Sequence, residues 1–157
     1  MILIRGKAHK VPSLIIISDV NINQNKEVCM VCINPKRVKV VVCGGRDFTD
    51  YDFLKKKLDS FRLWLQENHD EDVGLIIDGK AAGADTLAND YAKERGVLWA
   101  RYAADWKSYG KSAGMMRNRI MLDQEPDYVV GFFGGVGTAG MIAISKAAGV
   151  STFHIKG

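Results

Sequence analysis

From residue 39 onward the apolar positions switch repeatedly between two spacings. Lys39 to Cys43 is an unbroken, mostly β-branched run closed by Gly44-Gly45, which predicts a strand buried on both faces. From Asp50 to about Asn68, Leu54, Leu58, Phe61 and Leu65 recur at helical spacing, and Asp50 stands where an N-cap is needed. Gly74 to Asp78 predicts the second strand. Asp85 to Arg95 predicts a helix with Leu87, Ala88, Tyr91 and Ala92 inward and Gly96 ending it. Leu98 to Ala103, Tyr128 to Phe133 and Val150 to His154 follow as strands, with helices over Ser112 to Leu122 and Thr138 to Ala148. Met115, Met116 and Met121 are expected as core filler, and Lys107 to Gly114 as a loop able to close over a ligand. Such alternation predicts an α/β fold, a parallel sheet of about five strands with helices on both faces.

Residues 1–37 break the alternation. Leu14 to Ser18 and Val28 to Ile33 are strand-like runs joined by the Asn-rich Asn21 to Asn25, which predicts a β-hairpin. Whether it extends a sheet edge, covers an apolar patch or exchanges between subunits stays open. Pro35 marks the expected boundary between an N-terminal extension, 1–37, and a domain over 38–157.

Charge changes this picture little. The net charge of +4 sits in the first 38 residues, which hold six Lys or Arg against two acids, whereas the remaining 119 hold 16 of each. A nucleic-acid binder usually carries a basic face on its main domain, so nucleic acid is not the expected partner. Apolar runs are too short for a membrane span and no secretory leader is evident, so a cytoplasmic location without membrane contact is expected. Cys29, Cys32 and Cys43 do not make a disulfide framework. Cys29 and Cys32 form a C-x-x-C, but zinc would need two further ligands and His9, His69 and His154 are scattered, so neither metal nor cofactor is expected.

The chemistry gathers where the predicted strands end. Strand one runs into Gly44-Gly45-Arg46-Asp47, strand two into Gly79 through Gly83-Ala84-Asp85, strand three into Asp105-Trp106, and strand four into Gly134-Gly135-Val136-Gly137-Thr138. Ligands of open parallel sheets bind beyond these carboxyl ends. Glycines between strand and helix let backbone amides approach an anion, and Thr138 adds a hydroxyl, although the same glycines also serve ordinary tight turns. Arg46 and Arg117 offer counter-charge with the planar fork that suits phosphate. Trp106 either stacks on a base or seals the core edge. Asp47 and Asp85 serve the site or satisfy backbone amides as turn and N-cap residues.

Taken in order, Val42-Cys43-Gly44-Gly45-Arg46-Asp47-Phe48, Ile77-Asp78-Gly79 through Gly83-Ala84-Asp85, Ala104-Asp105-Trp106, Ala113-Gly114-Met115-Met116-Arg117-Asn118 and Phe133-Gly134-Gly135-Val136-Gly137-Thr138 resemble the YspA/cpYpsA-related branch of the SLOG superfamily over about residues 38 to 155. The resemblance implies a Rossmann-like sheet and a site for a nucleotide or nucleotide-derived ligand, centred on Arg46, Asp85, Arg117, Asn118 and the Gly134 to Thr138 loop. Its Lonely Guy relatives are phosphoribohydrolases with the signature G-G-x-G-T-x-x-E, and their glutamate is needed for the chemistry. Here that position is Met141, so hydrolysis of an N-glycosidic bond would fall to Asp47, Asp85 or Asp105.

Three functions therefore compete. The first is binding of a phosphorylated-ribose ligand, as sensor or sequestering protein. The second is N-glycosidic hydrolysis of a nucleoside monophosphate or NAD-derived nucleotide. The third, after the DprA relatives of the superfamily, is single-stranded nucleic-acid binding. A homodimer is expected by analogy alone.

Overall fold

In a computed structural model, residues 34–156 are described, so the expected hairpin and the Cys29/Cys32 pair lie outside the described residues. Five parallel strands, β1 (Lys36–Cys43), β2 (Glu71–Asp78), β3 (Leu98–Arg101), β4 (Tyr128–Gly131) and β5 (Ser151–His154), form one sheet in the order β3-β2-β1-β4-β5. The helices are α1 (Tyr51–His69), α2 (Ala84–Arg95), α3 (Trp106–Tyr109), α4 (Ala113–Leu122) and α5 (Val136–Ala147), with a 3-10 turn at Gly110–Ser112. The fold is the expected Rossmann-like α/β sheet.

The alternation of side chains along β1 divides the core in two. Val38, Val40 and Val42 face α1 and α2, joining Leu54, Leu58, Phe61, Leu65, Ala88 and Tyr91. Val41 and Cys43 face the opposite layer, joining Met121 of α4 and Met141 of α5. Each large apolar side chain so buried stabilises the fold by about 1.5–3 kcal/mol. Right-handed crossovers account for the layering, because β1-α1-β2-α2-β3 moves one way along the sheet and β4-α5-β5 the other. The direction reverses between β1 and β4. That is where an open sheet leaves a crevice at its carboxyl edge.

Asp50 caps α1 as expected, its carboxylate accepting the Phe53 amide at 2.9 Å, and Gly96 ends α2 with a φ of 64°. Several boundaries move. β1 starts at Lys36, directly after Pro35 and three residues ahead of the expected Lys39, because Lys36 and Arg37 pair with Glu71 and Asp72 at the start of β2. α5 starts two residues before Thr138. The expected loop from Lys107 to Gly114 is instead α3, the 3-10 turn and the start of α4, because Asp105 caps α3 by accepting the Ser108 amide at 3.0 Å. Of the three methionines expected as filler, only Met121 is buried; Met115 and Met116 are exposed on α4. Among the described residues no helix is long and apolar enough to cross a membrane.

Candidate functional site

At the reversal point a cleft of about 440 Å³ opens between the end of β1, the first half of α4 and the first turn of α5. Gly44, Gly45, Arg46, Asp47, Asp85, Trp106, Arg117, Asn118, Gly135, Gly137 and Thr138 line it, so most of the expected site residues are brought together. Gly79, Gly83, Gly134 and Asp105 are not in its lining, and the first three act behind the wall.

The glycines interlock the three loops. Gly83 has a φ of +74°, and a Cβ there would run into the Gly45 carbonyl and lie 2.6 Å from the Arg46 carbonyl carbon. Ala84 can then donate its amide to Gly45 O at 3.1 Å, while Gly45 donates its own to Phe133 O at 3.0 Å. A Cβ on Gly134 would lie 2.5 Å from the Gly45 amide nitrogen. The ends of β2, β1 and β4 are thus stitched backbone to backbone, which fixes the cleft floor.

α5 enters this floor without a side-chain cap. Gly135 occupies its N-cap position and offers no side-chain oxygen, so the first-turn amides keep no intrahelical partner and border the cleft at Val136, Gly137 and Thr138. The loop is held from below by Asn118, whose Nδ2 donates to Gly137 O at 3.0 Å and whose Oδ1 accepts from Arg117 Nε at 3.1 Å.

Asp85 is not the N-cap of α2. That position belongs to Gly83, and Asp85, the second residue of the helix, turns its carboxylate back to accept the amides of Gly79 at 3.0 Å and Ala81 at 3.3 Å. Arg117 donates to the Gly79 carbonyl and holds Nη1 3.8 Å from Asp85 Oδ2. Its guanidinium is therefore part of the wall, pinning the β2-α2 turn. Burial pushes the Asp85 carboxyl up to about 6, with the neighbouring Asp78 charge adding to it, against the opposing amides of Ala81 and Gly79 and the Arg117 cation.

Two acids expected beside Asp85 are placed differently from it. Asp47 lies exposed on the cleft rim. Asp105 is exposed outside the lining, and its bonds to Ser108 hold its carboxyl below the ordinary range. Met141 is fully buried against the sheet, so the position of the Lonely Guy glutamate faces the core and not the cleft.

Asp78 was not expected in the site's support. It is wholly buried at the end of β2, where its carboxylate accepts Arg101 Nε at 2.9 and 3.1 Å and the Lys80 amide at 2.7 Å. Lys80 takes a φ of 53° to make that bond. The signal available in the sequence was a carboxylate closing the apolar run Leu75-Ile76-Ile77. Cys43 also borders the cleft, but burial pushes its thiol up to about 12, which keeps it protonated and unreactive.

Residues 38–109 match the model of the YspA, cpYpsA-related SLOG family. The chain is similar to the Gene 61 protein of Mycobacterium phage D29, with 29% identity over 124 residues, covering 74% of this chain and 94% of that protein. Its fold is similar to the X-ray structure of DNA processing protein A (DprA) from Streptococcus pneumoniae, with a TM-score of 0.58 and 18% identity over 77% of this chain. The chain spans about half, 51%, of that DprA chain, and the likeness is one of fold.

Proposed function

Residues 38–109 match the YspA, cpYpsA-related SLOG family, and from that premise we propose that the protein binds a nucleotide or nucleotide-derived ligand by its phosphorylated ribose, as a sensor or sequestering protein. One observation carries this: the uncapped first turn of α5 opens into a preformed cleft whose other walls supply Arg46 and the tethered Arg117. An anion seated there would receive the orphan amides, the helix dipole and the Thr138 hydroxyl together. The floor is already rigid, so little ordering would oppose binding.

The test is calorimetric titration of the wild type, Arg117→Ala and Gly135→Asp with AMP and ADP-ribose. A Cβ at residue 135 would meet nothing within 4 Å, so Gly135→Asp is expected to keep the fold while placing a carboxylate at the anion's position. Loss of binding in both variants with unchanged circular dichroism is expected; unchanged affinity in both contradicts the proposal.

N-glycosidic hydrolysis is favoured by one observation, that Asp85 borders the cleft with a carboxyl near 6 and can exchange a proton at neutral pH. Incubation with AMP, ADP-ribose and NAD, followed by chromatography with mass detection, separates the two. Free base from the wild type but not from Asp85→Asn would make the protein a hydrolase. Intact nucleotides would leave it a binder.

A further inference from the structure

Trp106 is half exposed, at 51%, yet it borders a cleft whose other walls are mainly glycine backbone, charged groups and small side chains. An indole left in water beside such a site is a feature the packing does not require. Its position is nonetheless fixed. Asp105 caps the turn on which it stands, and Trp106 Cη2 lies 3.6 Å from where a Cβ on Gly114 would be, so the ring edge rests against the start of α4. Over the ring stands the Arg46 guanidinium carbon, 5.3 Å from the centroid. Arg46 forms no salt bridge among the described residues, and the indole is what its guanidinium stands against. A planar cation above a planar aromatic, both solvent-accessible and joined to different loops, is a slot that a third flat π-system can enter by displacing the arginine sideways.

We propose that Trp106 and Arg46 form the nucleobase subsite, stacking the base of the ligand so that the protein distinguishes a nucleotide from a bare sugar phosphate. This rests on the binding function proposed above, in which the α5 turn takes the phosphate. Ring stacking accepts any flat base, because every base offers a π-face, so the subsite selects for the presence of a base more than for its identity.

The experiment titrates the wild type, Trp106→Ala and Trp106→Phe with AMP and with ribose 5-phosphate, which has the phosphate and sugar but no base. Trp106→Ala is expected to weaken AMP binding by about ten- to a hundred-fold and to leave ribose 5-phosphate within about twofold. Trp106→Phe, which keeps an aromatic face, is expected to recover most of the loss. An equal loss for both ligands would make Trp106 a support of the whole cleft and overturn the subsite, as would unchanged AMP affinity or a wild type that binds the two ligands equally. A wild type that binds neither ligand would instead overturn the phosphate site, and the subsite with it.

Discussion

At the amino end of β2, Glu71 and Asp72 hold their carboxyls below the ordinary range, whereas at its carboxyl end Asp78, and Asp85 across the turn, hold theirs above it. Burial acts in the same direction on all four. The difference lies in the balance between the cations and the depth of burial. Asp72 accepts Arg62 through two bonds of 2.8 Å and Arg37 at 3.1 Å, and Glu71 accepts Lys36 at 2.9 Å and the Tyr128 hydroxyl at 2.7 Å. Asp85 has two amides and an arginine 3.8 Å away that is also bound to a carbonyl, and Asp78, despite Arg101, is more deeply buried. A cation in direct hydrogen bond offsets the shallower burial of Asp72 and Glu71, whereas complete burial outweighs the directly bonded Arg101 at Asp78 and Arg117 stands too far from Asp85 to compensate. The amino edge is thus an ion-paired belt that holds the sheet together. The carboxyl edge keeps its polar groups incompletely neutralised around an open cleft.

The comparison breaks most severely at Gly83. Alanine there would need a φ of +74° and would press a methyl on the Gly45 and Arg46 backbone, so a loss of about 4 kcal/mol in chemical denaturation is expected, with the cleft destroyed. At the other end, Arg62→Ala leaves the buried Asp72 with the exposed Arg37 as its remaining cation, and about 2–4 kcal/mol should be lost. Nucleotide affinity in that variant should not change, because the belt lies at the opposite edge of the sheet.

Acid and base limbs of stability sharpen the contrast further. Asp72 and Glu71 have folded values below their unfolded ones, so their contribution is present above about pH 4 and disappears as pH falls through the depressed values. Arg62→Ala should flatten that acid limb. Asp85 runs the other way: its folded value of about 6 exceeds the ordinary 3.8, so its contribution is fully present below pH 4 and is lost as pH rises through 6. Asp85→Asn should therefore be stabilising by about 1–2 kcal/mol at pH 8 and neutral at pH 4, as read from denaturation at the two pH values.

Much of this was legible before any coordinates. Leu54, Leu58, Phe61 and Leu65 announce α1 because a helix that buries one face must repeat at that spacing, and all four are buried. The glycine-ended strands announced the cleft because close backbone approach requires them. Other features were hidden for physical reasons. The Arg62–Asp72–Arg37 belt joins residues 10 and 35 apart, a pairing that the packing of α1 and the β1–β2 register create together. Arg117 reads in the sequence as a counter-charge and not as a wall residue, because its tether, the Gly79 carbonyl, is backbone and carries no side-chain signal. Lys107 to Gly114 reads as loop because it is short, polar and interrupted by Gly110, yet the Asp105 cap suffices to start a turn of helix. Met115 and Met116 look like filler by composition, but α4 leaves both exposed, with Met115 bordering the cleft, and buries Ala113, Asn118 and Met121.

The most direct test follows backbone amides by nuclear magnetic resonance while AMP is titrated into the protein. The account predicts saturable shifts concentrated at residues 44–47, 81 and 135–138 along the cleft, with residues 37–39 and 96–98, which line a groove at the opposite edge, unmoved. Shifts centred on that amino-terminal groove, or none at saturating nucleotide, would contradict it.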